Sequence, residues 1–259
     1  VSTDGIGKLL AAKLAKEGHR VFMHGRNPDK LAAAVSEIKA ASGNNSVDGF
    51  TADLSDLAAV REMADRINTG LPKLDVLINN AGIFKSPESH TDKGLEIRFA
   101  VNYLAPCLLT DQLIPLLKKG SDPRVINLSS AAQAPVSLAA MTGKEHLGDQ
   151  DAYAQSKLAL TMYSFYLAET EPDLAVIAVN PGSLLNTKMV AQAYGRHWSS
   201  ADKGADILYD LALSPEYQGV TGKYFDNDQG SFANAHPDAY SKEQIEQLMN
   251  TTRSLLEAV

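Results

Sequence analysis

Short apolar runs alternating with stretches of helical periodicity constrain this chain more than any single residue does. The runs Val21–His24, Phe50–Asp53, Leu74–Asn79, Arg124–Leu128, Ala175–Asn180 and Lys223–Phe225 read as strands. After the first, Leu31, Val35 and Ile38 recur at helical spacing, and after the second Leu57, Val60, Ala64 and Ile67 do the same. Longer helices are expected from about Asp92 to Lys118 and over Ala152–Ala168, Asp202–Leu213 and Ser241–Ala258. Leu74–Asn79 and Ala175–Asn180 are almost continuously apolar, the pattern of strands buried on both faces. Such alternation builds parallel strands joined by right-handed helical crossovers. The expected architecture is α/β, a single doubly wound parallel sheet with helices on both faces and Lys223–Phe225 at its edge. No linker-like shift in composition divides the 259 residues, so one domain is expected over residues 1–259.

The 44% hydrophobic content supports a core of that size, and the net charge of -7 disfavours nucleic acid, which is bound by clustered Lys and Arg. No stretch approaches the ~20 consecutive apolar residues that cross a bilayer, so no membrane span is expected. A single cysteine, Cys107, excludes an intramolecular disulfide and fits a reducing compartment. With no signal peptide at the visible start, a cytoplasmic location is expected. Cys107 lies in an apolar helical run and reads as a packed core residue. His90, His146, His197 and His236 show no metal-ligand spacing, so no metal site is expected.

In a sheet of this kind ligands gather at the carboxyl ends of the strands. Those ends read Gly25-Arg26-Asn27, Asp53-Leu54, Asn79-Asn80-Ala81-Gly82, Ser129-Ser130 and Asn180-Pro181-Gly182, all rich in small, polar or turn-forming residues. Ser2-Thr3-Asp4-Gly5-Ile6-Gly7 runs straight into an apolar helix, where free N–H groups and the positive end of the helix dipole favour a phosphate. A capped helix start with Asp4 as N-cap reads from the same residues. A nucleotide-binding turn of this type follows a buried strand. No residues stand ahead of Val1 to form it, so the polypeptide is expected to extend further. Tyr153 and Lys157 lie four apart on one helical face, where an ammonium could stabilise a phenolate and lower a pKa that is normally about 10.

Together, Gly5-Ile6-Gly7, Asp53-Leu54, Asn79-Asn80-Ala81-Gly82, Asn102, Ser130, Tyr153 with Lys157, and Pro181-Gly182 resemble the short-chain dehydrogenase/reductase family over essentially the whole chain. The long excursion between Ser130 and Tyr153 and the extended C-terminal helix are similar to its retinol-dehydrogenase-like branch. The resemblance implies a Rossmann-type sheet and an oxidoreductase interconverting a carbonyl and an alcohol. It makes Tyr153 the general acid or base, with Lys157 depressing its pKa and binding the nicotinamide ribose. Ser130 would orient the substrate oxygen, with Ser129 as the neighbouring alternative, and Asn102 would hold a water in a proton relay.

The same resemblance puts Ser2 to Gly7 at the pyrophosphate, Asp53 and Leu54 at the adenine, and Asn79, Asn80, Ala81 and Gly82 along the cofactor. It puts Pro181, Gly182 and Thr187 at the nicotinamide, although Thr187 stands one residue further from Gly182 than the family's usual spacing. Arg26 and Asn27 end the second strand of the family's fold, where an acid selects NAD and an arginine suits the 2'-phosphate of NADP. NADP is therefore expected over NAD, unless Arg26 is only a solvated loop residue. Residues 183 to 200, with Met189, Val190, Tyr194 and Trp198, fall at the family's substrate loop and suit a small to medium apolar substrate. A homodimer or homotetramer through the helices of Cys107 and Tyr153 is the implied assembly. The competing functional reading is a dinucleotide-binding sensor that turns nothing over; a nucleotide-sugar epimerase is disfavoured by the short chain after the last strand.

Overall fold

The computed structural model describes residues 1–183, 185–187, 189–191 and 199–258. The chain opens with helix α1 (Gly5–Lys16) and alternates through β1 (Val21–Gly25), α2 (Pro28–Ser42), β2 (Val47–Thr51), α3 (Leu57–Gly70) and β3 (Val76–Asn79). A continuous helix follows, made of α4 (Ile97–Phe99), a π turn (Ala100–Leu104) and α5 (Ala105–Leu117). Then come β4 (Arg124–Leu128), α6 (Leu138–Met141), α7 (Asp149–Thr170), β5 (Ala175–Asn180), α8 (Ala201–Leu213), β6 (Lys223–Asp226), β7 (Ser231–Ala233) and α9 (Lys242–Glu257). Local chemistry sets the ends. Asn27 caps α2 by accepting from Lys30 N, Pro28 occupies its first turn, and Gly43 closes it at φ +70.

The helix expected from about Asp92 begins instead at Ile97, because the Glu96 carboxylate caps it by accepting from the N–H groups of Arg98 and Phe99. Ile97–Leu117 is the one helix among the described residues long and apolar enough to cross a membrane, and it is mostly buried as a core helix. Its π turn has a local cause. Pro106 has no N–H to give to the carbonyl of Asn102, and the widened turn accommodates the ring.

Strands β3, β4, β5 and β6 pair in parallel in that order, and β7 adds antiparallel to β6. The expectation that Lys223–Phe225 forms the edge is thus corrected; the tight turn after Asp226 returns Ser231–Ala233 alongside it. Side chains alternate across the sheet. Val125 and Val176 face a core shared with α3, α5, α7 and α9, whereas Ile126 and Ile177 face Leu10 of α1 and Leu208 of α8. Cys107 is fully buried in the first of these cores.

β1 and β2 form a separate parallel pair. Between β1 and β3 only the first two residues of the chain intervene. Val1 O accepts from His24 N at 2.7 Å, and Ser2 bridges His24 in parallel. The remaining space is a cavity of about 380 Å³ lined by Phe22, Leu77, Leu109 and Leu113 among others. Val76, Leu77 and Ile78 are half-buried rather than covered on both faces, because this side of β3 opens onto the cavity.

One carboxyl ties α5 to α7. Asp111 is exposed at its outer side but accepts from the Tyr163 hydroxyl at 2.6 Å, and partial desolvation against α7 pushes its pKa up to about 6. The folded state therefore holds this proton more tightly than the unfolded chain, so the associated stability is full near pH 4 and lost as pH rises past 6. Asp111→Asn is expected to match the parent protein in urea unfolding near pH 4 and to exceed it by about 1 kcal/mol at pH 7.5, the shift being discounted for the exposure of the residue. Equal differences at both pH values would contradict this assignment.

Candidate active site

The carboxyl ends of β3, β4 and β5 meet the N-terminal half of α7, and most of the sequence-derived residues gather there. On α7, Asp149, Tyr153 and Lys157 follow at intervals of four and share one face. Lys157 is 3% exposed; its Nζ donates to Leu128 O at 2.7 Å and lies 5.6 Å from the centroid of the Tyr153 ring. Burial drops its pKa from 10.5 to about 8. Gly82 completes the fit, since a Cβ at that position would stand 3.2 Å from Asn102 Oδ1 and 3.3 Å from Lys157 Nζ. Glycine allows the chain to run this close to the two polar groups.

Asn102 sits in the π turn, completely buried. Its Oδ1 accepts from Ile83 N at 2.8 Å, and its Nδ2 donates to Ile83 O and to Ser156 Oγ, both at 3.0 Å. The two serines separate cleanly. Ser129 is buried with its hydroxyl engaged by Thr161 Oγ1 and Lys157 O, whereas Ser130 is half-buried at the strand end. Ser130 Oγ accepts from Ala132 N, and its carbonyl receives bonds from Gln133 and from the Tyr224 hydroxyl.

Asn79 Nδ2 donates to Thr110 Oγ1 and Asn127 Oδ1 in a buried network that continues from Asn127 to Ser164. Asn80 instead donates to Ser2 Oγ at 2.7 Å, pinning the start of the chain to the end of β3.

At the other end Asp4 caps α1, its carboxylate accepting from Gly5 N at 2.9 Å. Gly5 has φ +53, and Thr187 lies beside it, with Cγ2 3.7 Å from where a Cβ would stand. A Cβ on Gly7 would collide with Ser2 Oγ and Asn80 Nδ2, and Thr3 packs against Gly25 in the same way. Ile6 is used for packing against Gly204 of α8, and Leu54 against the core. Arg26 is 78% exposed and forms a loose 3.9 Å pair with Asp53, whose other oxygen accepts from Ser55. Asn27 spends its side chain on the α2 cap. After β5, Asn180 donates to Asp226 and Asp228, and Asn227 donates to Pro181 O, which hold the Pro181-Gly182 turn; Gly182 has φ +124. Ala81 lines the cavity beside β3.

This arrangement of a glycine turn at a helix start, a lysine–tyrosine face and a polar strand-end crevice is matched by known proteins. The family model for short chain dehydrogenases matches residues 2–197. The chain belongs to the short-chain dehydrogenase family, in its retinol-dehydrogenase-like branch. It is 33% identical to retinol dehydrogenase 12 of Mus musculus over 98% of this chain and 84% of that protein. It is 32% identical to the polyprenol dehydrogenase of Homo sapiens over 88% of this chain and 75% of that protein. A short chain dehydrogenase from Escherichia coli CFT073, solved in complex with NADPH, superposes with a TM-score of 0.70 at 30% identity, covering 88% of this chain and 94% of that one.

This short-chain dehydrogenase is thus an oxidoreductase, and the family uses a nicotinamide cofactor. The residues present fit one: the N–H groups at the head of α1 and the positive φ of Gly5 suit an anionic group there, and Gly82 lets the backbone approach Lys157 and Asn102 closely. Sequence reasoning missed Phe84, whose ring lies 5.0 Å from that of Tyr153, and Ser156 and Asp228, which hold Asn102 and the Pro181 turn. Single side chains that act through tertiary contact leave no motif. Of the substrate loop, Met189 and Val190 are half-buried; Tyr194, His197 and Trp198 lie outside the described residues. Among the described residues no group of three or more side chains is placed to ligate a metal.

Lys157 gives a test independent of turnover. Its cost to folding is present below pH 8 and fades as pH rises toward 10.5, because the unfolded chain binds the proton more readily. Lys157→Met is expected to raise stability at pH 7 by roughly 1–3 kcal/mol, the upper value following from the shift and the remainder offset by the lost bond to Leu128 O. Chemical unfolding at pH 7 and pH 10 measures it; a variant less stable than the parent at pH 7 contradicts the buried-ammonium account.

Proposed function

We propose that the protein is an NADP(H)-dependent oxidoreductase that interconverts an apolar carbonyl compound and its alcohol, with Tyr153 as the proton donor and acceptor. The observation that carries this reading is the buried Lys157 ammonium over the Tyr153 ring, at a strand-end crevice that also holds Asn102 and Gly82. An ammonium in a desolvated site stabilises a neighbouring phenolate far more than it would in water. In the reducing direction Tyr153 gives its hydroxyl proton to the carbonyl oxygen as that oxygen gains charge, and in the oxidising direction it takes the proton back. Ser130, at the end of β4, orients that oxygen by hydrogen bonding. Asn102 and Lys157 provide the polar route by which Tyr153 regains its proton. The bound nicotinamide supplies or accepts the hydride, and the protein contributes position and electrostatics.

The groups that would hold the cofactor are the head of α1 from Ser2 to Gly7 at the pyrophosphate, Asp53 and Leu54 at the adenine, and Asn80 to Gly82 with Pro181, Gly182 and Thr187 further along. Arg26 would receive the 2'-phosphate. Its 3.9 Å pair with Asp53 is exposed and is worth at most about 1 kcal/mol, so the guanidinium is readily recruited. The NADPH complex of the Escherichia coli relative supports this choice, and the retinol and polyprenol named for the two curated relatives support an apolar substrate.

Purified protein is expected to oxidise NADPH with apolar aldehydes or ketones. Tyr153→Phe should lower kcat by at least ~100-fold, the scale of general acid catalysis, while NADPH binding stays within a few-fold. Wild-type turnover retained in that variant removes Tyr153 from the chemistry, and NADPH binding without turnover across a carbonyl and alcohol panel favours the sensor reading. Separately, Arg26→Ala is expected to raise the KM for NADPH about tenfold or more and leave that for NADH nearly unchanged. A parent enzyme preferring NADH overturns the cofactor assignment.

A further inference from the structure

We infer that Arg98 is a positioning residue for this site, acting through the segment Gly82–Phe84 and through Asp149. The inference rests on the catalytic reading of Tyr153 and Lys157 given above. Arg98 and Asn102 lie four apart on the helix that contains the π turn, and both hold the chain just after β3. Asn102 makes two bonds to Ile83, and Arg98 Nη1 reaches Phe84 O at 3.5 Å. That segment in turn touches both catalytic candidates on α7. Gly82 lies against Lys157 Nζ, and the Phe84 ring lies against Tyr153. Arg98 closes the loop directly, since Nη1 also donates to Asp149 Oδ1 at 2.8 Å, one turn before Tyr153 on the same face of α7.

The charges explain why an arginine does this. Arg98 is 2% exposed, and its Nη2 lies 2.7 Å from Oε1 of Glu96, which is equally buried because its other oxygen caps the helix. The Nη2–Oε1 contact is close but poorly angled for a hydrogen bond, so it acts mainly as charge compensation. One planar fork therefore neutralises the cap carboxylate and still reaches two acceptors on other elements, which a lysine ammonium on its single stem would not do. Asp149 is 47% exposed, and its place in the first turn of α7 also suits the helix dipole. The tether sets how far Tyr153 stands from the segment carrying Gly82, and catalysis is sensitive to displacements of ~1 Å.

Because Asp149 is half-exposed, its variants test the tether without emptying the core. Asp149→Ala is expected to lower kcat about tenfold or more and to shift the pH profile of kcat, with NADPH affinity within about threefold of the parent. Asp149→Asn keeps an acceptor oxygen for Arg98 and is expected to recover most of the loss. Hydrogen exchange provides a readout that needs no substrate. The amides of Ile83, Ala152 and Tyr153 are expected to exchange at least about tenfold faster in Asp149→Ala, with the amides of β4 unchanged. Unaltered exchange at those three amides overturns the tether whether or not the enzyme turns over. Unaltered kcat and pH profile alongside faster exchange overturns its catalytic relevance. Should the parent protein reduce no carbonyl and oxidise no alcohol, the proposed function fails, and the exchange result alone decides whether Arg98 couples the two elements.

Discussion

A lysine ammonium held out of water is the constraint around which the site is built. Lys157 keeps one strong acceptor, the carbonyl of Leu128 at the end of β4, and burial lowers its pKa to about 8. Such a group costs stability unless its surroundings use its charge. The surroundings here are a phenol ring, a fully buried amide side chain and a glycine whose missing Cβ lets the chain run close to the ammonium. The packing tolerates an unfavourable cation where its field is useful.

Positioning comes from backbone and helix register together. Pro106 widens the helix into a π turn, and Asn102 within that turn bonds both polar groups of Ile83. Arg98, one turn earlier, reaches Phe84 and the start of α7. Two helices are thereby coupled through three residues of connecting chain. The phosphate end is organised differently, by small side chains: Ser2, Asn80 and Gly7 interlock so closely that any Cβ on Gly7 would collide.

The alternation of apolar runs with helical periodicity foretold most elements, because period and length survive without tertiary context. It missed where context decides. The helix expected from Asp92 starts at Ile97 since a glutamate side chain caps it, and Lys223–Asp226 gains a partner strand from a three-residue segment too short to show a pattern. In the site, Asn79 and Asn80 look alike as letters. Alternation along the strand end sends one into a buried network with Thr110 and Asn127 and the other toward Ser2.

By its sequence alone this chain declares a doubly wound α/β sheet, a glycine turn at a helix start, and the tyrosine–lysine pair whose four-residue spacing shares a helical face. Local periodicity and turn chemistry carry those features. Only the tertiary structure distinguishes the surroundings of Ser129 and Ser130, burying the first with its hydroxyl against Thr161 and leaving the second half-buried at the strand end. It likewise brought Arg98 to Asp149 and Phe84 to Tyr153 from distant positions in the chain. Contacts of this kind depend on which elements pack together, and no local pattern encodes that.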